Sequence, residues 1–330
     1  MPVLAAALVV AAAWSLTVGN YPISLGDQWR FFLGLLAGRT PAAGEPRLVA
    51  TVLCDIRFPR LLAAVLVGAV LAASGTAFQA MFVNPLVSPG LLGVLAGSAF
   101  GAAVGMLAGV SWTLVQGFAF AGGIVAVGLA VAMAGRGRGD KLLLLILGGV
   151  ISSALFTALL AAVKYVADPN DQLPAITYWL MGGLSRADGA TLRLAAPVFC
   201  LGLGVLFAFA GRLDLLSLGD EEARSLGLAT GPARLALVAV ATVLCALTVS
   251  IAGLVGWVGL IIPHAGRMLV GPRHGRLLPA TALLGGLYLL VVDDIARLSF
   301  GVEIPLGILT ALIGIPFFPL VLKNARRGWS

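Results

Sequence analysis

The sequence predicts an all-α polytopic membrane protein, and three observations carry the prediction. Of its 330 residues 60% are hydrophobic and only 11% charged, with a mean hydropathy of +1.05, far from the composition of soluble domains. Apolar runs long enough to cross about 30 Å of hydrocarbon recur along nearly the whole chain, which leaves no room for a soluble domain of ordinary size. The ten-residue alternation of a transmembrane barrel is missing, so the backbone has to satisfy its hydrogen bonds inside helices. Residues 1–330 are accordingly read as one transmembrane domain.

About ten spans follow in order, near residues 2–19, 60–80, 89–108, 112–134, 141–163, 192–211, 234–252, 255–271, 277–297 and 304–322. The first lacks the basic flank and the cleavage site of a secretory signal and is kept as a span. Basic residues follow the even-numbered spans: Arg136, Arg138 and Lys141 after the fourth, Arg212, Arg224 and Arg234 around the loop after the sixth, Arg267, Arg273 and Arg276 after the eighth, and Lys323, Arg326 and Arg327 after the tenth. The uncharged loop VNPLVSP after the second votes for neither side. The positive-inside rule then puts both termini in the cytoplasm of a cell whose inner membrane holds the protein. The net charge of +7 is a topology signal and does not indicate nucleic acid.

SGTAFQAMFVNP (74–85) and AGLVGWVGLIIP (252–263) share a glycine and a proline at equal separation, Gly75 with Pro85 and Gly253 with Pro263. That offset carries span two onto span seven, an odd number of crossings, as in the inverted repeats of transporters. Chance matching in a chain with 43 glycines is the competing account.

The chemical inventory is mostly negative. The chain has no GxxxxGK[ST] phosphate loop, HExxH or GxSxG, and Cys54, Cys200 and Cys245 lie too far apart in sequence for a CxxC pair, so no catalytic or metal site is expected. His264 and His274 read as solvated or phosphate-contacting side chains in or beside cytoplasmic loops. Asp293 and Asp294 are adjacent, point to different helix faces and cannot readily share a proton. Span centres are bare of the charges that ion-coupled carriers use. Their polar groups are Gln79, Ser152, Ser153, Thr157, Thr242, Thr248 and Ser250, suited to bonding between helices or to lining the path of a large solute whose energy comes from elsewhere.

SLGDEEARSLGL, 217–228, concentrates charge between two apolar runs. Ser217 can cap a helix with Asp220 in the capping-box position, and Asp220, Glu221 and Glu222 suit the positive end of its dipole. Arg224 follows Asp220 by four, and Gly227 can close the helix in a left-handed turn. The result is a short self-capped cytoplasmic helix showing Leu218, Ala223 and Leu226 among charges, fit to dock into a partner's groove or simply to link two spans.

IRFPRLLAAVLVGAVLAASG, NPLVSPGLLGV, YWLMGGLS, LGDEEARSLGL, GLVGWVGLIIPHAGR, LLPATALLGGLYLLVVDDIARL and EIPLGILTALIGIPFF resemble, in order and spacing, the permease subunit of importers for ferric siderophores, haem and vitamin B12. Ala265 in PHAGR departs from the bulky aliphatic common there. The resemblance implies a type II ABC importer: a homodimer of ten-helix subunits in lipid, two subunits that bind ATP and Mg²⁺, and a periplasmic or lipid-anchored substrate-binding protein. This chain itself would carry no cofactor and catalyse nothing. The resemblance also implies coupling helices at about 213–227, with Leu218, Gly219, Asp220, Glu221, Ala223, Arg224, Leu226 and Gly227 facing the ATPase. It implies a gate helix at about 174–185, a path lined by Gly148, Ser152, Ser153, Thr157, Trp179, Met181 and Gly182, and docking of the binding protein on Arg57, Arg60 and Arg297. The expected substrate is a ferric siderophore or haem, with corrinoid or molybdate as alternatives and an ion-coupled carrier as the distant rival.

Overall fold

The computed structural model describes residues 1–19, 21, 23–36, 45–299 and 302–325, and among them no strand occurs. The helices are α1 (Pro2–Thr17), α2 (Leu25–Leu36), α3 (Glu45–Ala50), α4 (Phe58–Met81), α5 (Val94–Leu107), α6 (Trp112–Arg136), α7 (Lys141–Val166), α8 (Gln172–Leu180), α9 (Gly189–Ala208), α10 (Ala210–Leu216), α11 (Asp220–Ser225), α12 (Thr230–Ala252), α13 (Val258–Val270), α14 (His274–Leu298) and α15 (Leu306–Ala325). Among the described residues six helical runs are long and apolar enough to cross a membrane, and α1, α5, α13 and α15 are shorter apolar helices. Together they match the ten expected spans. Arg326 and Arg327 lie outside the described residues, and Arg267 lies within α13 rather than in a loop.

Span two begins earlier than its sequence suggests. A π-helical segment, Thr51–Arg57, joins α3 to α4, so Pro59 sits inside a continuous helical run instead of opening it. Proline lacks an N–H and crowds the carbonyl four residues back, and the wider π turn relieves both conflicts.

Lengths reveal the repeat better than the matched residues do. α4, α5, α6 and α7 have 24, 14, 25 and 26 residues, and α12, α13, α14 and α15 have 23, 13, 25 and 20. The first helix of each half packs against the third of the other, α4 on α14 and α12 on α6. The pairing of Gly75 with Gly253 is wrong in register, however. Gly75 lies inside α4, which runs on to Met81, whereas Gly253 has φ +64° in the break between α12 and α13.

Small residues set how closely the halves approach. A methyl group on Gly68 would lie 2.1 Å from the Gly285 carbonyl oxygen, and one on Gly75 would lie 2.1 Å from that of Gly259. Backbone meets backbone at both crossings, as small-residue packing between membrane helices requires. Gly68→Ala is therefore expected to force α4 and α14 apart and lower the melting temperature in detergent, whereas Gly128→Ala, where an added methyl meets open space, should not.

At about 1.5 Å per residue α5 and α13 rise only about 20 Å. Irregular segments on the chain just before them, 82–93 and 253–257, complete those passes. Such backbone survives at membrane depth only when protein surrounds it. A methyl group on Gly149 of α7 would lie 2.4 Å from the Leu91 carbonyl oxygen, and Gly93 turns with φ +89° against Ser152 and Ser153. The core runs through α4, α9, α12 and α14, with Phe78, Met81, Phe199, Leu244 and Leu289 fully buried.

Candidate functional site

Helix α10 follows α9 after the single residue Phe209, and three residues beyond its end α11 carries the acidic cluster. Ser217 does not cap α11. Its Oγ donates to the Asp214 carbonyl at the end of α10, and the N-cap is Gly219 at φ +104°. A glycine is what that backbone requires. The C-terminal expectation matches the geometry: Gly227 has φ +86°, its N–H donates to the Arg224 carbonyl, and the Leu228 N–H donates to that of Ala223. These two bonds make a Schellman motif.

Asp220 is the pivot of this unit. Arg224 reaches it at 3.1 Å as the i,i+4 spacing predicts, but Arg234 of α12 grips it more closely, at 2.6 Å and 3.3 Å. Arg234 is 7% exposed and also donates to the Met81 carbonyl at the end of α4. Hydrogen bonding from Arg234 holds the Asp220 carboxyl below its ordinary range. The first short helix is held separately. Asp214 of α10 accepts from both the backbone N–H and the ring Nδ1 of His274 at the start of α14, at 2.8 Å and 2.7 Å. His274 is thus buried and engaged, not solvated. His264 packs edge-on against Phe317. With both short helices tied to α4, α12 and α14, Ala223 is fully buried while Leu218 and Leu226 stand 54% and 60% exposed.

The sequence marks Asp214, Arg234 and His274 only as charges near loops; nothing local reveals partners 60 or 153 residues away.

At the opposite end, the three expected docking arginines turn inward. Arg60 forks onto two carboxylates, Asp293 at 2.8–3.2 Å and Glu303 at 2.6–3.1 Å. Arg297 binds Asp294, the Ser15 hydroxyl and the carbonyls of Ser15 and Val18. Arg57 donates to the carbonyls of Leu16 and Tyr21. A helix leaves its last carbonyls without partners, and its C-terminus favours cations. α1 has no basic residue in its own last turn, so Arg57 and Arg297 reach across from other elements to supply the cap. The forks expected to dock the binding protein are thus engaged within the chain, and the side chains of Arg60 and Arg297 are only 14% and 11% exposed. Asp293 hydrogen-bonds Arg60 and Asp294 hydrogen-bonds Arg297, although Arg297 also lies 4.0 Å from the Asp293 carboxylate.

The segment expected as a gate forms α8, Gln172–Leu180, followed by a turn through Gly182 at φ +76°. That turn is woven into its neighbours by backbone bonds: the Gly183 N–H donates to Ala252, the Leu306 N–H to Gly182 and the Gly307 N–H to Met181. It therefore meets both the break after α12 and the start of α15. Arg186 stacks over Trp112, 4.1 Å from the ring centre, at the start of α6.

The α7 candidates divide. Gly148 packs on the Ala130 backbone of α6, and Ser152 is buried and donates to the Ala126 carbonyl, so neither can line a path. Ser153 is half-buried and Thr157 exposed. Thr242, Thr248 and Ser250 donate to carbonyls of their own helix, and Gln79 accepts from Arg267 at 2.6 Å.

Residues 7–324 match the model of the FecCD transport family. The chain is 39% identical over 321 residues to the molybdate import system permease protein of Haemophilus influenzae, covering 97% of this chain and 94% of that protein. It is 38% identical over 288 residues to the hemin transport system permease protein of Yersinia pestis, covering 84% of each. A solved structure reported as an inward-facing metal-chelate-type ABC transporter superposes with a TM-score of 0.86 at 38% identity, covering 97% of both chains. Matched over nearly its whole length and folded like a solved transporter, the chain belongs to the FecCD transport family and is an ABC-importer permease.

Proposed function

We propose that the chain, as one transmembrane domain of residues 1–330, carries an iron chelate, a ferric siderophore or haem, across the inner membrane. Two copies enclose the path between them, both termini are cytoplasmic, and two separate subunits bind ATP and Mg²⁺. No cofactor or catalysis is assigned to this chain. The observation that carries the reading is the α10–α11 unit, tied to α4, α12 and α14 through Asp214–His274 and Asp220–Arg234 while presenting Leu218 and Leu226. A lever rigidly joined to three bundle helices transmits the movement of whatever docks on it. Glu221 and Arg224, on the exposed side, orient that partner; Gly219 and Gly227 hold the required turns.

On this reading the path runs along the exposed face of α7 at Ser153 and Thr157, and the turn bearing Trp179, Met181 and Gly182 closes it outside. Arg57, Arg60 and Arg297 act as positioning residues beneath the docking surface: they hold Tyr21 and the segment around Glu303, which form the outer rim that the binding protein meets. The hemin permease relative and the metal-chelate transporter support an iron complex as substrate. The molybdate permease relative puts the oxyanion, beside cobalamin, on the substrate panel.

The test is reconstitution. The chain purified alone should hydrolyse no ATP, and co-expression should bring down an ATPase subunit. Proteoliposomes with the binding protein should then take up ferric chelate only when ATP is inside. Uptake driven by an ion gradient without ATP would overturn the proposal. Gly227→Val adds about 1–3 kcal/mol of backbone strain at a position where an added side chain meets open space. It is therefore expected to loosen ATPase retention on affinity resin, and Gly227→Asn should retain most of it.

A further inference from the structure

The twelve residues of α2, LGDQWRFFLGLL, divide lengthwise into three faces. Leu25, Trp29 and Leu33 follow one another at four-residue spacing on one side of the helix and are 70%, 66% and 48% exposed. Beside them a second face carries Asp27 and Arg30, which pair with each other at 2.8 Å and stay open to solvent. The third face turns inward: Gln28 is 4% exposed, and its Nε2 donates to the carbonyls of Thr17 and Ile23. The usual arrangement of a helix on a water-soluble surface is thus reversed, with an amide toward the protein and three large apolar side chains outside.

We propose that α2 lies in the membrane interface of the leaflet opposite the α10–α11 unit, with Leu25, Trp29 and Leu33 among the lipid chains and the Asp27–Arg30 pair at the headgroups. Its depth is set by Gln28, whose bond of 3.3 Å to the Thr17 carbonyl in the last turn of α1 holds the helix where that span ends. The surface it adjoins is one that lipid covers: α1 packs on α14 and α4 and leaves Val9, Val10 and Trp14 66%, 68% and 54% exposed. An apolar flank beside a charged flank suits a helix in the interface plane, its apolar side reaching about 5–10 Å into the boundary between headgroups and chains. Tryptophan favours that level. A soluble partner is served less well, since the charges flanking the stripe already neutralise each other and leave nothing to steer it. Tyr21, whose carbonyl Arg57 holds, lies just ahead of α2, so lipid would steady the outer rim; that consequence rests on the proposed function, whereas the lipid contact itself does not.

The full chain is placed in nanodiscs of phosphatidylcholine brominated either high on the acyl chains or near their ends. The difference between its tryptophan emission and that of Trp29→Phe isolates Trp29 among the six tryptophans. That emission should be largely lost with bromine high on the chains, less with bromine near their ends, and little with iodide in the water. Trp29→Phe keeps an apolar ring at an exposed position and should unfold at the parent's temperature. Leu33→Glu should reduce the quenching by high bromine, and undiminished quenching there would overturn the stripe as the anchor. Quenching by iodide and not by brominated lipid would overturn the proposal. Shielding from iodide that develops only when the binding protein is added would give the stripe to that protein instead, and insensitivity to both quenchers would give it to a second copy of the chain.

Discussion

Arg60→Met should lower the stability of the chain by about 3–5 kcal/mol, because it leaves the buried Asp293 carboxylate without its hydrogen-bonded partner and with only Arg297, 4.0 Å away. The side chain of Asp293 is only 2% exposed, whereas that of Glu303 is 24% exposed and can turn to water. The penalty should therefore come mainly from Asp293. Arg60→Met combined with Asp293→Leu is expected to recover most of the loss, since an apolar pair of similar size carries no desolvation cost. Thermal unfolding in detergent of the two single variants and the double variant measures this coupling directly. A pure docking residue behaves otherwise: Arg60→Met would then leave unfolding unchanged and lower only the affinity for the binding protein. The outcome decides whether this arginine is a structural clamp beneath the outer rim or a contact on it.

Asp220→Ala should have the second large effect, and on coupling rather than insertion. It strips Arg234 of its carboxylate and α11 of its link to α12 and α4, a loss of about 2–3 kcal/mol for a charge-assisted bond. ATPase subunits should wash off, or ATP hydrolysis should continue without uptake, while the amount of chain in the membrane stays near normal. Arg224→Glu is expected to do less. Its side chain is 62% exposed, and exposed pairs contribute about 0.2–1 kcal/mol. The pH dependence follows from the lowered Asp220 pKa. A depressed carboxylate contributes stability that is full above its unfolded value and fades only as pH falls through the lower folded value. Asp220 should thus cost no retention of the ATPase between about pH 8 and pH 5. A midpoint near neutrality would place the titrating link elsewhere.

Particular residues show where the sequence was legible. Gly227 was read correctly as a left-handed terminus because a Schellman turn is built within six residues. Arg224–Asp220 was read correctly because four residues are one helical turn. Ser217 was misread for a local reason: Gly219 at φ +104° breaks the chain between α10 and α11, so the serine closes one helix instead of opening the next. Gly148 and Ser152 were placed on a path by resemblance, but which face of α7 meets α6 depends on helix rotation, and hydrophobic periodicity is weak where lipid and protein interior are equally apolar.

The amino-acid sequence by itself determined the helical class and the places of the spans, because desolvating backbone in hydrocarbon is so costly that composition alone settles them, and its motifs carried the resemblance that names the class of machine. The tertiary structure alone decided what the charged residues do. Arg60 meets Asp293 across 233 residues, Arg297 caps α1 across more than 270, and Arg234 joins Asp220 to the end of α4. Such pairs arise because a buried guanidinium must find acceptors wherever folding brings them, and sequence separation carries no information about where that will be.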